Sequence, residues 1–145
     1  MEKLHFSIDI KAPIQKVWDI LWADETYRKW TTAFSEGSYA ESDWNEGSKV
    51  LFLSPGGDGM LARIAEKREP HYMGFEHLGM LIKGVEDTTS DKVKSWVGAR
   101  ENYTLSENNG QTNVHVDIDI TEEYKDMFSQ MWPKALQSLK QLAEQ

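Results

Sequence analysis

Leu4, Phe6, Ile8 and Ile10 alternate with His5, Ser7 and Asp9 near the start of the chain. Alternation puts every second side chain on one face, so this spacing predicts a half-buried strand. The period changes at Ala12-Pro13, where proline suits the first position of a helix. Ile14, Val17, Trp18 and Leu21 follow at i, i+3, i+4 and i+7, one apolar helical stripe. Asp24 is placed to cap a second short helix, with Glu25 in its first turn and Arg28-Lys29 near its end. Tyr27, Trp30 and Phe34 are its apolar contacts.

The middle of the chain reads as β structure. Segments 37–44, 50–53, 60–68, 71–81 and 93–105 are predicted strands, and Val114, Val116, Ile118 and Ile120 alternate with His115, Asp117 and Asp119 as the clearest half-buried strand. Turns fall at Asn45-Glu46-Gly47, at Pro55-Gly56-Gly57-Asp58-Gly59, at Glu69-Pro70 and at Asn108-Asn109-Gly110. Residues 83–92 are polar and predict a solvated loop, with a lid over a pocket mouth as the alternative. The chain then turns helical. Thr121 is a candidate cap, and Tyr124, Met127, Phe128, Met131, Ala135, Leu139 and Leu142 form a stripe. Pro133 lies inside that stripe and removes the bond from its own nitrogen to residue 129, which predicts a kink near Trp132 or two abutting helices. The element order is β-α-α, about six strands, then a long helix, an α+β arrangement.

Length and composition narrow the function. The 145 residues make one ordinary domain, 1–145. With no cysteine there is no disulfide, thiolate metal site or cysteine nucleophile. Sixteen basic and twenty-four acidic residues give a net charge of −8, mixed along the chain without a basic stripe, so no nucleic-acid partner is expected. No apolar run approaches the ~18 residues of a membrane span, and residues 1–6 have no secretory h-region. The expected location is cytoplasmic. Six Trp, five Tyr, five Phe and six Met supply large, soft side chains that fill a core and also suit the walls of a ligand cavity.

Ile10-Lys11-Ala12-Pro13-Ile14-Gln15-Lys16-Val17-Trp18, then Tyr27-Arg28-Lys29-Trp30, carry a family likeness. Glu101-Asn102-Tyr103-Thr104-Leu105, Gly110-Gln111-Thr112-Asn113-Val114, and Trp132-Pro133 followed by Leu136 and Leu139-Lys140 continue it. In this order the chain resembles the START/polyketide-cyclase superfamily (SRPBCC, birch-pollen-allergen-like). More narrowly it is similar to the heat-shock-protein-90 ATPase activator homologue family. The resemblance implies a helix-grip fold, a curved antiparallel sheet of about seven strands wrapped around the C-terminal helix. It also implies a small hydrophobic or amphipathic ligand (lipid, sterol or aromatic compound) held between sheet and helix. A chaperone partner, and a monomeric or homodimeric state, stay open with it.

The chemistry-bearing residues are few. His71 and His77 lie six apart on one predicted strand, about 20 Å apart at strand rise, too far to chelate one ion. His5 and His115 sit opposite apolar runs and face solvent. Gly56-Gly57-Asp58-Gly59 is not followed by a lysine or helix in P-loop register, and neither Ser54 nor Ser95 has an elbow motif around it. Glu101 shares parity with Val97, Ala99, Tyr103 and Leu105, an inward face. A carboxylate there must be paired or hydrogen-bonded, with Arg63 or Tyr103 as its partner. Met127, Phe128, Met131 and Trp132 face the sheet, as core and as the helical roof, and Met73, Phe75, Trp96 and Tyr103 are candidates for the floor and walls. The expected ligand-binding set is therefore Met73, Phe75, His77, Trp96, Glu101, Tyr103, Met127, Phe128 and Met131. No metal, cofactor or catalytic residue is assigned. A cyclase- or hydratase-type enzyme using Glu101 or His77 with Tyr103 is the alternative, and it requires those groups to converge on one cavity.

Overall fold

A computed structural model describes residues 1–145. β1 (Glu2–Ile10) leads into α1 (Ile14–Trp22) and α2 (Asp24–Trp30), which runs on into a single 3-10 turn, Thr31–Ala33. The strands β2 (Tyr39–Glu41), β3 (Lys49–Leu53), β4 (Gly59–Arg68), β5 (Tyr72–Ile82) and β6 (Val85–Asp87) follow. After a one-turn helix α3 (Asp91–Lys94) come β7 (Arg100–Asn108), β8 (Gln111–Ile120) and the closing helix α4 (Glu122–Ala143). The strands form one sheet in the order β1-β8-β7-β5-β4-β3-β2, all antiparallel, with β6 paired to β5. This is the helix-grip architecture.

Alternation decides which face of the sheet meets the helices. Val114, Val116 and Ile118 of β8 are buried, as are Tyr103 and Leu105 of β7 and Met73 and Phe75 of β5. They share one core with Val17, Trp18, Leu21 and Trp22 of α1, Tyr27 and Trp30 of α2, and Trp132, Leu136 and Leu139 of α4. Two aromatic residues tie these layers together. Trp22 lies 4.9 Å from the Tyr103 ring and 5.5 Å from both Phe75 and Trp44. Trp132 reaches Phe34 at 4.9 Å, Tyr103 at 5.9 Å and Phe6 at 6.0 Å.

The opposite face of the sheet carries the charges. Arg63 pairs with Glu76 at 2.6 Å. Arg100 donates to Asn102, and Asn102 donates to Asp117. Lys3 bridges Asp117 at 3.3 Å and Asp119 at 3.0 Å. His5 and His115 meet here with 3.1 Å between ring nitrogens, on the solvent side that alternation assigns them.

Several expectations need correction. Residues 93–105 are not one strand. The Ser90 side chain accepts from the Val93 N–H and opens α3, and Gly98 at φ +89° turns the chain, so β7 starts only at Arg100. The 83–92 segment is not a plain loop. Lys83 and Gly84, both at positive φ, make a tight hairpin turn into β6. This turn docks on the glycine-rich loop: Gly84 donates to the Gly57 carbonyl, and a Cβ on Gly57 would lie 2.9 Å from the Gly84 nitrogen. The 37–44 strand shrinks to Tyr39–Glu41, because Trp44 takes a positive φ and leaves the ladder. Finally, of the two outcomes expected at Pro133, the division into two abutting helices does not occur: α4 is continuous from Glu122 to Ala143. The buried side chains on either side, Trp132, Ala135 and Leu136, anchor that turn. Thr121 and Asp24 also do not cap through their side chains, and Asp24 instead holds Arg28 at 3.0 Å one turn on.

Candidate functional site

Between the sheet and the first half of α4 lies a cavity of about 440 Å³, with 18 of its 28 lining residues hydrophobic. Each element contributes for a local reason. Short α2 and the 3-10 turn after it bring Tyr27, Trp30 and Thr31 inward at i, i+3 and i+4, and Phe34 follows just past the turn. Phe52 of β3 and Met60 of β4 sit directly opposite each other in the ladder. On β5, two residues of the strand, Leu78 and Gly79, stand where one would pair, between His77↔Ala62 and Gly79↔Leu61. This bulge moves Met80, rather than Gly79 or Leu81, onto the cavity wall. Glu101 and Tyr103 of β7 and Ile118 of β8 close the inner side, and Tyr124, Met127, Phe128 and Trp132 of α4 form the roof.

A polar cluster sits within this apolar surround. Glu101 Oε1 lies 3.2 Å from His77 Nε2, and Glu101 Oε2 accepts from the Tyr103 hydroxyl at 2.5 Å. Because a carboxylate can only accept, Nε2 carries the imidazole proton. His77 Nδ1 is buried without a partner. Phe52 lies against the same imidazole, ring centroids 6.0 Å apart. Arg63, expected as a partner for Glu101, is on the other face of the sheet with Glu76. The reason is parity: Glu76 neighbours both Phe75 and His77 and so must point away from them. Glu101 is thus held by two donors and by no arginine or lysine. Such a fixed carboxylate can anchor a ligand's polar group or accept a proton from it.

Burial, and after it the Glu101 charge, push the Tyr27 and Tyr103 phenols well above the usual tyrosine range. The direction carries a sign for stability. In the unfolded chain both phenols ionise near pH ~10, whereas in the folded chain they hold their protons far higher. Above that pH the unfolded state binds fewer protons, so stability is full below pH ~10 and falls as pH rises beyond it. In an ultraviolet titration at phenolate wavelengths, two of the five tyrosines are expected to stay silent until the protein unfolds in alkali. Ionisation of all five in the folded state would contradict the geometry of the site.

Of the residues expected from sequence, His77, Trp96, Glu101, Tyr103, Met127 and Phe128 lie on the cavity wall. Met73, Phe75 and Met131 do not. Met73 and Phe75 have the inward parity but are fully buried, Phe75 beneath Trp22, Phe52 and Tyr103. Met131 misses because Tyr124, Phe128 and Trp132, four residues apart, own the inward line of α4 and leave Met131 on its flank. Trp96 reaches the cavity from the turn after α3, not from a strand. Tyr27, Trp30, Phe34, Phe52, Met60, Met80 and Ile118 line the cavity without having been assigned to it. The 27-30-34 spacing on the second helix was the available signal for the first three.

No family model matches the chain, and no curated protein does. Solved structures do match in shape. The Aha1 dimer from Colwellia psychrerythraea is 22% identical with a TM-score of 0.76, over 99% of this chain and 97% of that one. CalU16 from Micromonospora echinospora is 16% identical with a TM-score of 0.67, over 97% of this chain and 73% of that one. DynU16, from the dynemicin biosynthetic locus, is 12% identical with a TM-score of 0.70, over 97% of this chain and 46% of that one. At these identities the likeness is one of fold, and the chain has the helix-grip fold that these proteins share.

Proposed function

We propose that the protein binds a small hydrophobic or amphipathic molecule, such as a lipid, a sterol or an aromatic compound, in the cavity beneath α4. The observation that carries this reading is the cavity itself: about 440 Å³ walled mainly by Trp, Tyr, Phe, Met and Ile side chains. That volume is within the ~300–1,000 Å³ typical of ligand pockets. Aromatic rings and four of the six methionines (Met1, Met60, Met80 and Met127) give walls that adapt to an apolar shape. Burying about 100 Å² of a ligand's apolar surface is worth ~2.5 kcal/mol, so modest molecules gain useful affinity here.

A thermal-shift panel of fatty alcohols, sterols and fused aromatics tests the reading. A ligand present at ~100 times its dissociation constant adds about 2.7 kcal/mol by mass action. For a domain of this size that raises the melting temperature by roughly 5–10 °C. A panel that leaves the melting temperature unchanged at the solubility limit of every compound would remove the proposal.

A further inference from the structure

Tyr27 is a buried residue of the cavity lining whose polar group the protein leaves without a partner. It is 8% exposed and lines the cavity, and its ring is packed by Trp30 at 5.4 Å and Phe52 at 6.4 Å. Its hydroxyl makes no hydrogen bond to the protein, and it is not among the sealed, unpaired atoms, which are Trp22 Nε1, His77 Nδ1 and Arg100 Nε. It therefore opens onto the cavity. Phe52 joins it to Glu101 along one wall: the Phe52 ring lies 6.4 Å from Tyr27 and 6.0 Å from the His77 imidazole, and His77 holds Glu101 at 3.2 Å.

Glu101 has capacity to spare. A carboxylate offers about four acceptor positions, and His77 and Tyr103 take one on each oxygen. No lysine or arginine pairs with it: the neighbouring Arg100 turns its guanidinium to Asn102. One wall of an apolar cavity thus presents a free donor, Tyr27, beside a free acceptor, Glu101.

The geometry points to a neutral hydroxyl, alcohol or phenol, as the buried polar end of the ligand, accepting from Tyr27 and donating to Glu101. This rests on the apolar-ligand reading above and specifies the chemistry at its inner end. A purely apolar ligand would leave the Tyr27 hydroxyl dry and unpaired. A carboxylate or phosphate would set a second anion against Glu101 in a low-dielectric site. An ether could accept from Tyr27 but offers nothing to Glu101. An ammonium would pair with Glu101 but meet the Tyr27 hydroxyl with no acceptor of its own.

Five compounds on one scaffold test this: biphenyl, 4-hydroxybiphenyl, 4-methoxybiphenyl, biphenyl-4-carboxylate and 4-(aminomethyl)biphenyl. Binding is read by quenching of tryptophan fluorescence and by calorimetry, on the full chain and on Tyr27→Phe and Glu101→Gln. The hydroxyl compound should bind about tenfold more tightly than the ether and the carboxylate, the worth of one well-made hydrogen bond to a charged group. Tyr27→Phe removes an atom that holds nothing in the protein, so the fold should survive. It should weaken the hydroxyl compound about tenfold and tighten biphenyl, which then no longer strands a hydroxyl. Glu101→Gln should weaken the hydroxyl compound and strengthen the carboxylate, opposite movements that a loosened pocket would not produce. Equal affinities across the series, or tightest binding by the carboxylate or the ammonium, overturn the inference while leaving the apolar-ligand reading in place. Binding of none of the five overturns both.

Discussion

Replacing Trp132 by alanine is expected to destabilise the protein by about 3–5 kcal/mol, the usual cost of truncating a buried Trp or Phe. The indole is 3% exposed and stands where four elements meet. Phe6 comes from β1, Trp30 from α2, Phe34 from the end of the 3-10 turn and Tyr103 from β7, with ring centroids between 4.9 and 6.5 Å away. Each such pair adds about 0.5–1.5 kcal/mol beyond the area it buries. Alanine removes all four contacts together and leaves a void that opens into the ligand cavity, whose wall Trp132 forms. The change is a large part of the ~5–15 kcal/mol that holds an average domain together. It should lower the melting temperature by roughly 10–15 °C. Urea unfolding followed by circular dichroism measures it. Met131→Ala is the internal control, because the neighbouring side chain is half-exposed and off the inward line. Its cost should stay below about 1 kcal/mol. If both variants lost the same stability, Trp132 would not be the keystone between α4 and the sheet.

That contrast also shows where sequence reasoning reached and where it stopped. The strands with clean alternation, β1 and β8, were legible to within two or three residues, because each has one dry face and one wet face. Their outward histidines were legible for the same reason. Glu101 was visible as an inward carboxylate through its parity with Tyr103, and the structure joins the two. Its second partner, His77, was on the expected wall too, but the bond between them depends on β5 lying beside β7, a pairing that strand order alone decides. Parity also failed wherever local geometry interrupts it. The bulge at Leu78 put Met80 on the cavity wall against the simple count, and Gly98 ended a predicted strand and set Trp96 on a turn. Met73 and Phe75 show a further limit. An inward face does not separate a cavity wall from the core beneath it, since other side chains decide which rings are covered. On α4 the apolar stripe was real, and it took in both Met127–Met131 and Phe128–Trp132, two lines one position apart that the pattern does not rank. The large indole took the buried place.

The two halves of α4 differ in what holds them, and amide hydrogen exchange should separate them by about a hundredfold. All of the helix's buried residues, Trp132, Ala135, Leu136, Leu139 and Ala143, lie in its second half. Residues 122–131 bury none, and their inward side chains, Tyr124, Met127 and Phe128, face the cavity instead of packed core. Pro133 has no N–H to donate to the carbonyl of Ser129, so the ladder is thinnest where the halves join. The Lys125–Glu2 ion pair at 2.7 Å ties the first half to β1, but both side chains are well exposed and such a pair contributes little. An opening free energy lower by about 3 kcal/mol in the first half corresponds to exchange roughly 100-fold faster. A ligand under this roof supplies the missing apolar contacts, so saturating 4-hydroxybiphenyl should slow exchange in residues 122–131 and leave 134–143 almost unchanged. Pro133→Ala restores the lost bond and should narrow the gap without any ligand. Uniform protection along α4 in the free protein would mean that the cavity roof is as firmly seated as the core, and a ligand would then need another way in.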